Sequence, residues 1–86
     1  MLTRQSNPTE WALLLYELDD AREHLDVLLE ALSKNGAISE EELRIDLGHV
    51  YAHLNRAWNG RAMQGEQSDD IRAENSKFPE DIEPVG

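Results

Sequence analysis

Residues 11–32 read WALLLYELDDAREHLDVLLEAL, and this stretch decides the fold because its apolar residues recur every seven positions. One row of the repeat consists of Trp11, Leu18, Leu25 and Leu32, and the alternate row consists of Leu14, Ala21 and Leu28. A heptad row of this kind is an apolar seam that a helix buries against another helix. The stretch therefore predicts a helix that needs a helical neighbour.

The same spacing returns after Asn35-Gly36, in the second half of the chain. Its rows consist of Leu47 and Leu54, accompanied by Leu43, Val50 and Ala57. Because a connection of a few residues makes consecutive helices antiparallel neighbours, we expect an all-α fold. Its core is an antiparallel two-helix hairpin over about 8–34 and about 39–62.

Capping residues mark the ends of both helices. Asn7 precedes Pro8, which suits the first helical turn, and Ser39 precedes three glutamates at the positive end of the second helix. Gly36 tolerates the positive φ angle with which many helices end. These residues predict a short turn between two separately capped helices.

Composition limits the classes of function. The chain has 86 residues, no cysteine and a formal net charge of -10, which fits one small domain without disulfides or thiolate chemistry. This charge opposes direct binding to nucleic acid or to an anionic membrane surface, so we expect a basic or neutral protein partner. With neither a secretory signal pattern nor a long apolar run in the sequence, we expect a cytoplasmic location.

The character of the chain changes after Met63. Residues 64–86 contain seven acidic side chains and few large apolar ones. Such a segment buries too little surface to offset its ordering entropy. We therefore divide the chain into a helical hairpin domain over 1–63 and an acidic, mostly disordered tail over 64–86. A turn of helix capped by Ser68, or docking around residues 78–82, is the alternative.

The apolar seam has two edges that differ in chemistry. With Trp11 and Leu47 at heptad position a, the e edge consists of Leu15, Arg22, Leu29, Arg44, Tyr51 and Trp58. The g edge consists of Glu17, His24, Ala31, Asp46, His53 and Gly60. Like edges meet in an antiparallel pair of helices. Expected neighbours are Leu15 and Trp58, Arg22 and Tyr51, and His24 and His53.

The e edge carries more apolar side chains than two helices can bury between them. This excess predicts self-association. The expected interface consists of Leu15, Arg22, Leu29, Tyr51 and Trp58. A C2 homodimer that forms a four-helix bundle would cover these side chains, and C2 is the commonest oligomeric symmetry. A helix of another protein in the same groove is the competing interpretation.

Two further groups of polar side chains are candidate surfaces for binding a partner. Near the end of the second helix, Asn55, Arg56, Asn59 and Arg61 lie around Trp58 and form a possible recognition face. We favour the other interpretation, in which Arg56 and Arg61 are helix-dipole partners, Asn59-Gly60 is a frayed helix end and Trp58 is an ordinary core residue. The second set is an acidic stripe on the first helix, formed by Asp19, Asp20, Glu23, Asp26 and Glu30. Such a stripe is usually a solvated face, although in an inhibitor or antitoxin-like protein it can mimic nucleic acid and bind a basic partner.

Asp46, His49 and His53 share a helical face and are weak candidates for metal ligands. Two histidines at helical spacing lack a third committed ligand, so we interpret them as edge or solvated residues and expect no cofactor. A metal-binding bundle is the third functional alternative. No nucleophile triad or phosphate-binding glycine loop is present in the sequence, which favours a non-catalytic protein.

Overall fold

The computed structural model describes residues 1–65 and 67–86, and over these residues the chain forms three α-helices without strands. The helices are α1 (Pro8–Asn35), α2 (Glu40–Asn59) and α3 (Asp69–Asn75). α1 and α2 pack against each other in antiparallel orientation, which confirms the expected hairpin, and α3 contacts α2. Within the described chain, the helices are too short or too polar to cross a bilayer.

The helix ends follow the capping residues closely, with two differences. The Ser39 hydroxyl accepts the Glu42 backbone N–H at 3.1 Å, and Gly36 ends α1 with a φ angle of 66°. At Asn7 the backbone carbonyl, rather than the side chain, receives the first helical bond. α2 ends at Asn59 rather than near residue 62, because the chain turns at Gly60 and the Arg61 guanidinium donates to the Trp58 carbonyl at 2.7 Å.

The buried seam lies on heptad positions d and g instead of a and d. The buried apolar side chains are Ala21, Leu28, Val50 and Ala57, which all occupy position d. On the g side, Glu10, Glu17 and Gly60 are also buried, whereas on the a side Leu18, Leu25 and Leu54 remain exposed. The small alanines at d let the helices approach closely, and charge pairs described below stabilise the g side. The e edge consequently faces away from the core.

The C-terminal segment has the features given above as the alternative to a disordered tail, a helix capped by Ser68 and docking around residue 78. Asp69–Asn75 form α3, and the Ser68 hydroxyl caps it by accepting the Ile71 N–H at 3.2 Å. Residues 76–82, which we call the strap, then run along α2, where the Phe78 ring lies 5.1 Å from the Tyr51 ring. Composition favoured a disordered tail over this docking because polar side chains of α2, and not apolar burial, hold the segment.

Candidate interaction surface

A continuous apolar surface runs along both long helices on the a and e positions. We call it the open face, and it consists of Leu15, Leu18, Leu25 and Leu29 on α1 and of Tyr51, Leu54 and Trp58 on α2. Leu15, Leu29 and Tyr51 are 52%, 60% and 48% exposed, and Trp58 is half-buried. Arg22, the polar member of the expected interface, is exposed and pairs with Asp19 on its own helix. Apolar surface of this extent is typical of an interaction site.

The strap extends the open face on the α2 side. Phe78 packs edge-to-face on Tyr51 and is nevertheless 67% exposed. Two shallow grooves flank this aromatic pair. One of about 510 Å³ is lined by Leu54, Trp58 and Ile82, and the other of about 450 Å³ is lined by Leu43 and Leu47. The aromatic pair therefore forms a ridge between two apolar depressions.

Trp58 is anchored by charged neighbours at one end of this surface. Its indole N–H donates to the Asp81 carboxylate at 2.8 Å, and the Arg61 guanidinium stacks 3.6 Å from the centre of its ring. The hydrogen bond from Trp58, with a contribution from the Arg61 charge, lowers the pKa of Asp81 below its ordinary value. The indole is thus held in one orientation by two residues that lie outside the expected interface.

The possible recognition face binds the protein's own strap. The Asn55 side chain is buried and donates to the Ser76 carbonyl at 2.9 Å, while the Asn59 side chain donates to the carbonyls of Asn75 and Lys77, both at 2.9 Å. The Arg56 guanidinium donates to the Ser76 hydroxyl at 2.8 Å. These side chains are therefore engaged within the chain, and the helix end at Asn59 is pinned rather than frayed.

A charge cluster closes the g edge. The carboxylate of Glu17, only 5% exposed as a residue, lies 2.8 Å from His53 Nδ1 and accepts from Arg56 Nε at 3.1 Å. The Arg72 guanidinium reaches the same carboxylate at 3.7 Å, so the cluster joins all three helices. Sequence reasoning placed Glu17 and His53 on like edges without pairing them. The missed signal was an acidic residue on the g edge of α1, opposite His53 on the g edge of α2 and Arg56 three residues further on.

The three histidines lie close together, on the side of the hairpin that carries the charge cluster. The His24 and His53 rings stack at 5.1 Å, which confirms their expected proximity, and the His49 ring lies edge-on at 5.6 Å from His24. Asp46, the carboxylate of the weak metal candidate, is exposed. As the side chains stand, no three of the described histidine, aspartate and glutamate residues converge on a common metal position.

The acidic stripe is partly neutralised within α1. Asp19 pairs with Arg22, and Glu30 pairs with Lys34 at 2.7 Å. Asp20 is half-buried, whereas Glu23 and Asp26 are exposed. The stripe occupies heptad positions b, c and f, so it lies on a different face of α1 from the apolar e edge.

Comparison with known proteins does not supply a function. No family model, curated protein or solved structure matches this chain. The two surfaces that the hairpin presents, the closed g edge and the open face, are therefore the features from which a function can be inferred.

Proposed function

We propose that this protein is a non-catalytic interaction module that self-associates through its open face. The observation that carries the proposal is the division of its apolar residues. The buried apolar residues are two alanines, one valine and one leucine, whereas six leucines and three of the five aromatic residues are exposed. A second copy would supply the core that one hairpin lacks.

The energetics favour covering this face. Burial of a leucine or aromatic side chain stabilises by about 1.5–3 kcal/mol, so covering the exposed half of one contributes roughly 1 kcal/mol. A two-fold dimer gains this amount at the same positions in both copies. The combined gain exceeds the lower bound of the association cost, which is about 4 kcal/mol.

The placement of charge also supports a dimer in spite of the acidic composition. Self-repulsion between two chains of net charge -10 is weakest when their carboxylates stay in water. The acidic stripe lies on positions b, c and f, and would remain on the outer surface of a four-helix bundle formed through positions a and e. Arg22 and Arg44 on the e edge add positive charge beside the apolar surface.

Inhibitor-like binding of a basic protein is the competing function, and it would use the acidic stripe instead. Asp19 and Glu30 already pair with cations of α1, which reduces the charge available to such a partner. Exposed apolar side chains also occur on the face of the stripe, at Tyr16 and Val27, but they are fewer than on the open face. The ion pairs within α1 and the larger apolar area of the open face favour self-association.

The experiment compares the wild-type chain with a variant charged on the open face. We expect sedimentation equilibrium to give twice the 9.8 kDa chain mass for the wild type. The Leu15→Glu, Leu29→Glu variant should be monomeric with unchanged helical circular dichroism, because both side chains point into the interface and add four carboxylates to it. The matched control is Val27→Glu, whose position c is exposed on the opposite side of α1.

Two results would contradict the proposal. One is a wild-type chain that stays monomeric at high micromolar concentration. The other is a double variant that dimerises as strongly as the Val27→Glu control, since the contact would then lie elsewhere on the molecule.

A further inference from the structure

We propose that His24, His49 and His53 form a binding site for one divalent transition-metal ion of the zinc type. The three imidazoles come from both long helices and lie within one cluster, with ring centres 5.1 Å apart for His24 and His53 and 5.6 Å apart for His24 and His49. His49 and His53 are one helical turn apart on α2, so they can bind one ion from the same helix face. His24 supplies a third ring from α1.

The spacing of the rings suits a shared ion. A histidine nitrogen lies about 2.0–2.1 Å from zinc, which places the centres of rings around one tetrahedral ion roughly 5 Å apart. The rings lie near this separation, but His24 and His53 are stacked, so binding requires that the His24 and His49 rings turn until their nitrogens point at one position. His24 and His49 are exposed, so rotation of their side chains between rotamers reorients both rings without disturbing the core.

His53 has the environment of an oriented metal ligand. Its Nδ1 lies 2.8 Å from the buried Glu17 carboxylate, which is itself held by Arg56. The Arg56 Nη2 atom also lies 3.0 Å from this ring nitrogen. A guanidinium only donates and a carboxylate only accepts, so we assign the Nδ1 proton from the shorter contact, with Glu17 as its acceptor. Donation to Glu17 places the proton on Nδ1 and leaves the lone pair of Nε2 available. Carboxylates hold metal-binding histidines in this way in many proteins.

The ligand set selects the class of metal. Neutral imidazole nitrogens bind zinc, nickel and copper, whereas magnesium and calcium require oxygen ligands. Three imidazoles leave a fourth tetrahedral position for water. The negative net charge of the chain also favours binding of a cation in general.

Isothermal titration calorimetry with zinc chloride tests the site, with magnesium chloride as the negative probe. We expect one zinc ion per chain with micromolar affinity, and no binding of magnesium. His24→Phe and His49→Phe preserve a flat ring at each position but remove the ligand nitrogen, so each should weaken zinc binding at least about tenfold. Asp46→Asn is the matched control on the same helix and should bind zinc like the wild type.

The titration is repeated with the Leu15→Glu, Leu29→Glu variant, since the site lies within one chain and should survive loss of the dimer. Equal zinc affinity in the wild type and the His24→Phe variant would overturn the proposal, as would binding that is absent or only millimolar. A second readout is the ¹⁵N chemical shift of His53 Nε2, which should change on addition of zinc while Nδ1 stays protonated.

Discussion

The g edge and the e edge belong to the same pair of helices, but one is closed by charge and the other is left open although it is apolar. On the g edge, Glu17 is buried and is contacted by His53, Arg56 and Arg72. On the e edge, Leu15 and Leu29 remain more than half exposed. The difference shows that a buried carboxylate requires its partners within the folded chain, because an unpaired buried charge is costly. Apolar side chains can remain exposed until a partner covers them.

The largest expected effect comes from breaking the closed edge. Glu17→Ala leaves the Arg56 guanidinium, whose side chain is only 12% exposed, without its carboxylate, and should lower the free energy of unfolding by about 3–5 kcal/mol. Urea denaturation followed by circular dichroism, at one fixed protein concentration, measures the change. For a domain of this size, such a loss removes much of the total stability.

Asp19→Ala is the control for this comparison, because Asp19 and Arg22 form an ion pair on the exposed surface of α1. Its removal should change the free energy of unfolding by about 0–1 kcal/mol. Equal losses in Glu17→Ala and Asp19→Ala would mean that the charge cluster does not close the g edge.

The second effect concerns the strap, which lies beside the open face but is held by polar bonds. Removal of residues 76–86 deletes the one carbonyl partner of Asn55 and one of the two of Asn59, and takes away the hydrogen bond of the Asn55 amide. We expect a loss of about 2–4 kcal/mol in the free energy of unfolding. Removal of residues 85–86 alone is the control and should leave the melting temperature unchanged. An unchanged melting temperature after the longer deletion would contradict the docking of the strap on α2.

The smallest effect is a pH dependence at the end of the open face. The hydrogen bond from Trp58 lowers the pKa of Asp81 in the folded protein, so its contribution to stability is present above the pKa of the unfolded chain. That contribution is lost as the pH falls through the folded pKa. Carboxyl ¹³C NMR titration should show the Asp81 pKa return toward its ordinary value in Trp58→Phe, which lacks the indole donor. An identical Asp81 titration in both proteins would contradict the assigned cause.

Sequence reasoning reached the hairpin because periodic leucines and capping residues act locally. Ser39 and Gly36 mark helix ends through bonds to residues three or four positions away, and the antiparallel register brought His24 to His53. The burial of Glu17 was not predictable in the same way. A small rotation of each helix about its own axis decides whether position a or position g faces the partner helix, and the heptad pattern permits both.

Docking of the strap was only the alternative prediction, for a different reason. Asn55 and Asn59 donate to backbone carbonyls, and a carbonyl is present at every residue, so no residue type in the C-terminal segment identifies it as their partner. α3 has only seven residues, which are too few to show the helical period of apolar residues in the sequence. Composition therefore favoured disorder where specific hydrogen bonds give order.

In the proposed dimer, the open face and not the closed edge joins the two copies of the chain. Isotope-filtered NMR on an equimolar mixture of ¹³C-labelled and unlabelled protein detects contacts between copies and excludes those within one copy. We expect intermolecular NOEs from the methyl groups of Leu15 and Leu29, together with the rings of Tyr51 and Trp58. Intermolecular NOEs confined to residues of the g edge or the acidic stripe, or none at a concentration of hundreds of micromolar, would contradict the account.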